Sequence, residues 1–245
     1  MKRINLALMM VMLIAVNAVP AQTGRGIMDR ADSLKKPDTV RATVQMLVIR
    51  GGETAEKEFE LMGKKAGNDE KVLVTFTKPS KIKFLTHTHK KGEDDQWLML
   101  SSGRVKRIAA GERSQAFVNS HLSYEDMKSR DIDRYDYTLA GEKNAAGALC
   151  YVVEAKPKDG DSIYSKAVFY VRKADYTIVR IDLYRDDVLL KYLENYDIKS
   201  VKGILTPHRA VMYMADGSGR TELIMKSVVY NSSIPDRALN KDALR

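Results

Sequence analysis

WLMLSSGRVKRIAAGERSQAFVNSHLSYED, residues 97–126, decides how this chain is read. An apolar strand-like stretch, Gln96 to Leu100, runs into a basic one, Arg104 to Ile108. From Ala109 to Asp133 the alternation stops, and the segment is rich in Ser, Asn, Asp and Glu. A connection of that length between strands tends to be functional or to carry a short helix. Leu122 to Met127 is expected to form one helical turn. Nothing in the stretch has the look of catalytic machinery.

Outward from this block the dominant period is two, the signature of strands. Ala42, Val44, Met46 and Val48 alternate with Thr43, Gln45, Leu47 and Ile49, and Gly51-Gly52 marks a turn. Strands are expected over 57–62, 71–77, 81–89, 96–100 and 104–108. After the long connection they resume over 135–139, 149–155, 165–172, 177–184, 188–197, 205–214 and 221–230. Roughly a dozen strands at short spacing predict one large antiparallel sheet curled into a barrel or half-barrel. One helix precedes it: Ile27, Ala31 and Leu34 recur at helical spacing between Thr23, a cap, and Pro37, a stop.

The chain has 245 residues and a formal net charge of +9, with the basic residues spread along the strands rather than gathered in a patch. Spread charge on strand faces discourages edge pairing, and it gives no nucleic-acid footprint. Transient attraction to anionic lipid headgroups is compatible with it. Residues 1–21 read as a cleaved signal peptide: Lys2 and Arg3 precede an apolar run from Leu6 to Val16, too short for a membrane span of about 20 residues. Residues 22–245 are then expected to form a single domain, soluble, monomeric and periplasmic. The one cysteine, Cys150, rules out an intramolecular disulfide and is expected to be a buried, inert thiol.

No enzyme chemistry is assembled by the motifs. His87 and His89 share a strand face without an evident close third ligand, so a solvated pair is expected and no metal site. Asp216-Gly217-Ser218-Gly219 reads as a hairpin turn rather than a nucleophile elbow. There is no phosphate-cradling glycine loop. The expectation is a protein that is not an enzyme, has no catalytic residue and needs no cofactor.

The chain resembles the outer-membrane lipoprotein-sorting protein family, the LolA-like carriers. The likeness rests on Asp95-Gln96-Trp97-Leu98-Met99-Leu100, Arg104-Val105-Lys106-Arg107-Ile108 and Ser123-Tyr124-Glu125-Asp126. Further support comes from Cys150 to Ala155 before Pro157, Tyr164-Ser165-Lys166 and Thr206-Pro207. The resemblance implies a mainly β fold with a few helices: an unclosed antiparallel half-barrel of about eleven strands with a helical plug or lid. It also implies a carrier of lipoprotein acyl chains or other lipids. Its partners would be the cargo and an outer-membrane acceptor, with an inner-membrane exporter of the resistance-nodulation-division type. The alternative is a non-carrier accessory module of such an exporter.

On that reading the cavity is lined by alternate strand residues: Met46, Val48, Val74, Phe76, Phe84, Trp97, Met99, Phe169, Ile181, Leu183, Tyr213 and Met225. A one-residue slip in any strand would turn its whole set to the other face. Arg104, Lys106, Arg107 and Arg113, with Tyr124, Glu125 and Asp126, are expected at the mouth or at a partner surface. The two carboxylates are expected to pair with the basic strand and pin the long loop. The family's lid-locking arginine has three eligible counterparts, Arg104, Arg107 and Arg113.

Overall fold

The computed structural model describes residues 22–67, 69–89, 94–128, 131–158, 160 and 162–244; the expected signal segment lies outside them. The first element is α1, Gly24–Asp32, capped by Thr23, whose hydroxyl accepts the Gly26 amide at 3.0 Å. That bond satisfies one of the orphan donors of the first turn. Gly24 lets the helix lie directly on the sheet, since a Cβ there would sit 2.8 Å from the Leu139 backbone nitrogen.

Thirteen strands follow, more than the eleven or so that the resemblance implies. They are β1 (Thr39–Arg50), β2 (Glu53–Ala66), β3 (Asp69–Lys78), β4 (Lys83–Thr88), β5 (Asp95–Met99) and β6 (Val105–Arg107). Then come β7 (Tyr135–Ala145), β8 (Ala148–Pro157), β9 (Lys166–Arg172), β10 (Ile178–Arg185), β11 (Val188–Val201), β12 (Ile204–Met214) and β13 (Gly219–Tyr230). All pairings are antiparallel, in the order β6-β5-β4-β3-β2-β1-β13-β12-β11-β10-β9-β8-β7. The sheet is a pair of meanders joined where β1 meets β13. It does not close: β6 and β7 are its two edges.

That order dictates what the long connection does. β6 and β7 are consecutive in sequence and at opposite edges in space, so residues 108–134 must span from one rim to the other. The segment does so as a loop with short 3-10 turns at Ala110–Glu112, Phe117–Asn119, Glu125–Met127 and Ile132–Arg134. The expected helical plug is therefore mostly a loop, and the expected turn at 122–127 is the 3-10 turn Glu125–Met127. The helix α1 covers the other part of the inner face. Its Ile27 and Met28, each 1% exposed, pack with Val153, Phe169, Val171 and Ile181.

Local chemistry explains the main departures from the expected strand ends. Strand β7 runs past Leu139 to Ala145 because Gly141, at φ +126°, carries a bulge that breaks the alternation. The β1–β2 turn uses Gly51 and Gly52 at φ +55° and +87°, a backbone region that L side chains avoid. The Asp216–Ser218 segment is the expected hairpin turn between β12 and β13, with Asp216 accepting the Ser218 amide at 2.9 Å. Cys150 is fully buried, and burial pushes its thiol up. Among the described residues no helix is long and apolar enough to cross a membrane.

Candidate functional site

The connection fills part of the concave face with its own side chains. Phe117 is completely buried and meets Phe84, Phe76 and Tyr124 at ring-centroid distances of 5.0, 5.9 and 5.9 Å. Leu122 and Tyr124 join the same cluster with Val44, Met46, Val48, Val74 and Leu98. Polar side chains rising from the sheet fasten the loop by its carbonyls. Arg50 donates to those of Asn119 and Ser120 (2.9 and 3.2 Å), Lys57 to Val118 (2.6 Å) and Gln96 to Tyr124 (2.9 Å). The tip is strained: Val118 and Asn119 sit at φ 44° and 58°, and a β-branched residue there is an outlier.

The strongest fastening is a buried ion pair. Lys191 on β11 donates to Asp126 Oδ2 at 2.6 Å and to the His121 carbonyl at 3.0 Å, with its side chain 5% exposed and that of Asp126 7%. Asp126 also accepts from the Tyr164 hydroxyl (2.6 Å), the Ser123 amide (2.7 Å) and the Ser123 hydroxyl (2.9 Å). A carboxylate so surrounded has its lone pairs satisfied, the condition for a buried charge to be tolerated. The expected pinning of the loop by Asp126 is present, but its partner is Lys191 and not the basic strand. The basic strand pairs elsewhere: Lys106 with Glu112 at 3.1 Å and Arg107 with Asp95 at 2.6 Å.

Between this plug and α1 the inner face stays open as a cavity of about 410 Å³. The sheet supplies Phe169, Ile181, Leu183, Leu193, Met212 and Leu223. Leu122, Glu125, Asp126, Met127 and Lys128 come from the loop, and His89 and Asp94 from the β4–β5 side. The volume falls in the range of small-molecule sites, roughly 300–1,000 Å³. The wall is apolar at the sheet and ionisable at the loop.

His121 ties the plug to β13. Its amide donates to Thr221 Oγ1 at 3.0 Å, and the same hydroxyl lies 2.8 Å from Nδ1. Burial, with Arg50 and Lys191 adding repulsion, holds the imidazole below its ordinary 6.5. The unfolded chain therefore takes up a proton near that value while the native state resists, so this contribution is intact above it and lost as pH falls through it. His87 is shifted in the same sense, chiefly by burial; His89, raised by Asp69, opposes. Urea-unfolding midpoints should drop between about pH 7.5 and 5.5, and by less in His121→Gln. An unchanged drop would remove His121 from the account.

The expected cavity residues divide into three groups. Phe169, Ile181 and Leu183 line the cavity. Met46, Val48, Val74, Phe76 and Phe84 face the same side but pack under the plug, and Met225 stands half-buried opposite Val44. Trp97, Met99 and Tyr213 correct the reading, for they lie on the other face. Leu98 and Met212 hold the inward positions, one residue out of step. Tyr213 stacks on Tyr192 at 4.9 Å. Trp97 and Met99 pack beneath the C-terminal tail with Leu73, Leu85, Ile234, Leu239 and Leu244. His87 is there too: its Nε2 bonds the Leu239 carbonyl at 2.8 Å and its ring meets Trp97 at 5.1 Å. It is half of no solvated pair. His89 instead sits 3.3 Å from both Asp69 and Asp95.

This placement makes the single tryptophan a reporter of the tail. Leu239→Ala is expected to cost about 2–5 kcal/mol and to shift Trp97 fluorescence to the red. Acyl ligands entering the cavity should leave that emission alone. A ligand-induced shift in the wild type would contradict the face assignment.

Of the expected mouth residues, Glu125 and Asp126 line the cavity, and Tyr124 is buried beneath them. Arg104 is exposed on the turn before β6, and Arg113 is a buried part of the loop. None of Arg104, Lys106, Arg107 and Arg113 lines the cavity. Arg50, Lys57, Gln96, Phe117, His121, Tyr164, Lys191 and Thr221 were not among the expected residues. Lys191 had a signal: it shares strand parity with Leu193, so it is a cation on the inward face.

An open antiparallel half-barrel whose concave face is partly filled by the connection between its edges is the LolA-like fold. Three solved structures carry the comparison. A DUF1329 family protein from Desulfovibrio piger is 29% identical with a TM-score of 0.86, covering 91% of this chain and 98% of that one. An outer membrane lipoprotein-sorting protein domain from Vibrio parahaemolyticus is 28% identical with a TM-score of 0.85, covering 90% and 97%. A LolA superfamily protein from Nitrosomonas europaea is 20% identical with a TM-score of 0.71, covering 91% and 100%, and it shares the fold. A family model described as "Uncharacterized protein" matches residues 68–245, and the chain belongs to that family, with a LolA-like fold. Comparison with curated proteins gives no match.

Proposed function

We propose that this chain is a periplasmic carrier that takes acyl chains of lipoproteins or other lipids into the cavity under its plug and moves them between membranes. The observation that carries this reading is the cavity itself, with an apolar sheet wall extended by a row of large apolar residues that the loop covers. Withdrawal of the loop would join the two into one trough. Similarity to the lipoprotein-sorting protein domain supports the cargo class. Burial contributes about 0.8 kcal/mol per methylene. A long chain thus supplies on the order of 10 kcal/mol, enough to offset displacement of a strained loop. Holding cargo this way needs no covalent chemistry, so the reading is of a non-enzyme. It calls for an inner-membrane exporter or lipid source as donor and an outer-membrane acceptor.

Mass spectrometry of the gently purified protein should show co-purifying lipid or acylated peptide, and a fluorescent fatty-acyl analogue should bind and be displaced by it. A protein that comes off clean and takes up no acyl analogue would overturn the proposal.

A further inference from the structure

The loop side of the cavity holds an acceptor without a donor. The Glu125 side chain is 9% exposed, and its Oε2 is sealed from solvent with no hydrogen-bond partner among the described residues. Its nearest cation among them, Lys128, stands 3.7 Å away and is shared at the same distance with Asp94. Asp126 next to it is fully engaged by Lys191, Tyr164 and Ser123. Burial, outweighing the fields of Lys128 and Arg113, raises the Glu125 carboxyl above its ordinary value. Leaving a buried carboxyl oxygen unmatched is costly, more so than for a neutral group. Native structures keep such groups mainly where something else supplies the bond.

Resting on the carrier reading, we propose that Glu125 is a headgroup subsite: the cavity selects amphiphiles whose polar end offers an N–H donor, a primary ammonium or an amide, to the Glu125 carboxylate, a turn of the side chain bringing its sealed oxygen to the cavity. The chain of such a ligand runs along Phe169, Ile181 and Leu183, which face the cavity from the sheet. A carboxylate-ended ligand is disfavoured at the same place. It would meet the four carboxylates of Asp94, Glu125, Asp126 and Asp131 on the lining against three cations, Lys128, Arg134 and Lys166, of which Lys128 is already committed to two of the four. The subsite therefore discriminates by donor count at fixed charge as well as by charge.

Three ligands of one chain length separate these effects: dodecylamine, dodecyltrimethylammonium and laurate, titrated calorimetrically into the full chain below their micelle-forming concentrations. The two cations differ in N–H donors and not in charge. Dodecylamine is expected to bind about tenfold or more tighter than the trimethyl compound, with laurate weakest. Glu125→Gln, which keeps the shape, should shrink the ratio between the cations, and Glu125→Met, which removes the acceptor, should bring it close to one. Thermal unfolding of each variant reports whether it is folded, and the ratio within each variant is independent of its overall affinity. Equal binding of the two cations to the wild type, or a ratio that survives Glu125→Met, overturns the subsite while leaving the carrier reading standing. Failure of all three ligands to bind overturns both.

Discussion

Phe117→Ala is expected to raise the affinity of the chain for an acyl analogue by about a hundredfold or more. Truncating a fully buried phenylalanine costs about 3–5 kcal/mol, and Phe117 sits at 0% exposure among Phe76, Phe84 and Tyr124. Nearly all of that cost falls on the seating of the loop. Ligand and loop compete for one face, so the apparent dissociation constant scales inversely with the fraction of chains in which the loop is out. A seating loss of about 3 kcal/mol corresponds to roughly two powers of ten. The left-handed backbone at Val118 and Asn119 already works against the seated state, at about 1–3 kcal/mol per strained residue. Calorimetry or fluorescence titration of wild type and variant gives the ratio. An unchanged affinity together with a full loss of global stability would mean that the face under Phe117 is ordinary core.

Lys191→Met is expected to destabilise the protein by about 3–5 kcal/mol, because it strips the Asp126 carboxyl, 7% exposed, of the ammonium that pairs with it. Adding Asp126→Asn to that variant should recover a large part of the loss, since the charge that suffers is then gone and the hydrogen bonds from Tyr164 and Ser123 can persist. The double-mutant cycle from urea unfolding measures the coupling directly. Limited proteolysis within 109–127 should accelerate in the single variant and slow again in the double. Additive single effects would show that the two residues act independently, and the loop would then depend on Arg50, Lys57 and Gln96 instead.

Period-two alternation made most strands legible, and in β1 it also gave the face: Val44, Met46 and Val48 do point inward. It failed at Gln96 to Leu100 for a physical reason. Both sides of β5 are covered, one by the plug and the other by the tail that brings Leu239 and Leu244 onto Trp97 and Met99, so both parities are apolar and neither announces itself. A tail packing on the convex face leaves no local signal in the strand it covers. The carboxylates at Glu125 and Asp126 were legible as a pin for the long loop, which Asp126 is. Their partners were not, because Lys191 lies 65 positions away and only the sheet order brings it near. The basic strand looked like the natural partner by proximity in sequence, yet Asp95 and Glu112 had already claimed it.

The pairing of β1 with β13 sets Val40 opposite Tyr230, far apart in sequence. Each meander can zip up locally from neighbouring hairpins, whereas this one seam waits for the last strand to be available. Contacts of such long sequence separation slow the search for the native state. A polypeptide of this design emerges with one edge of its first strand displaying unpaired amides and carbonyls until its final one arrives. During that interval it is a template for other strands, and an escort that occupies the first meander would determine how much of it reaches the finished form.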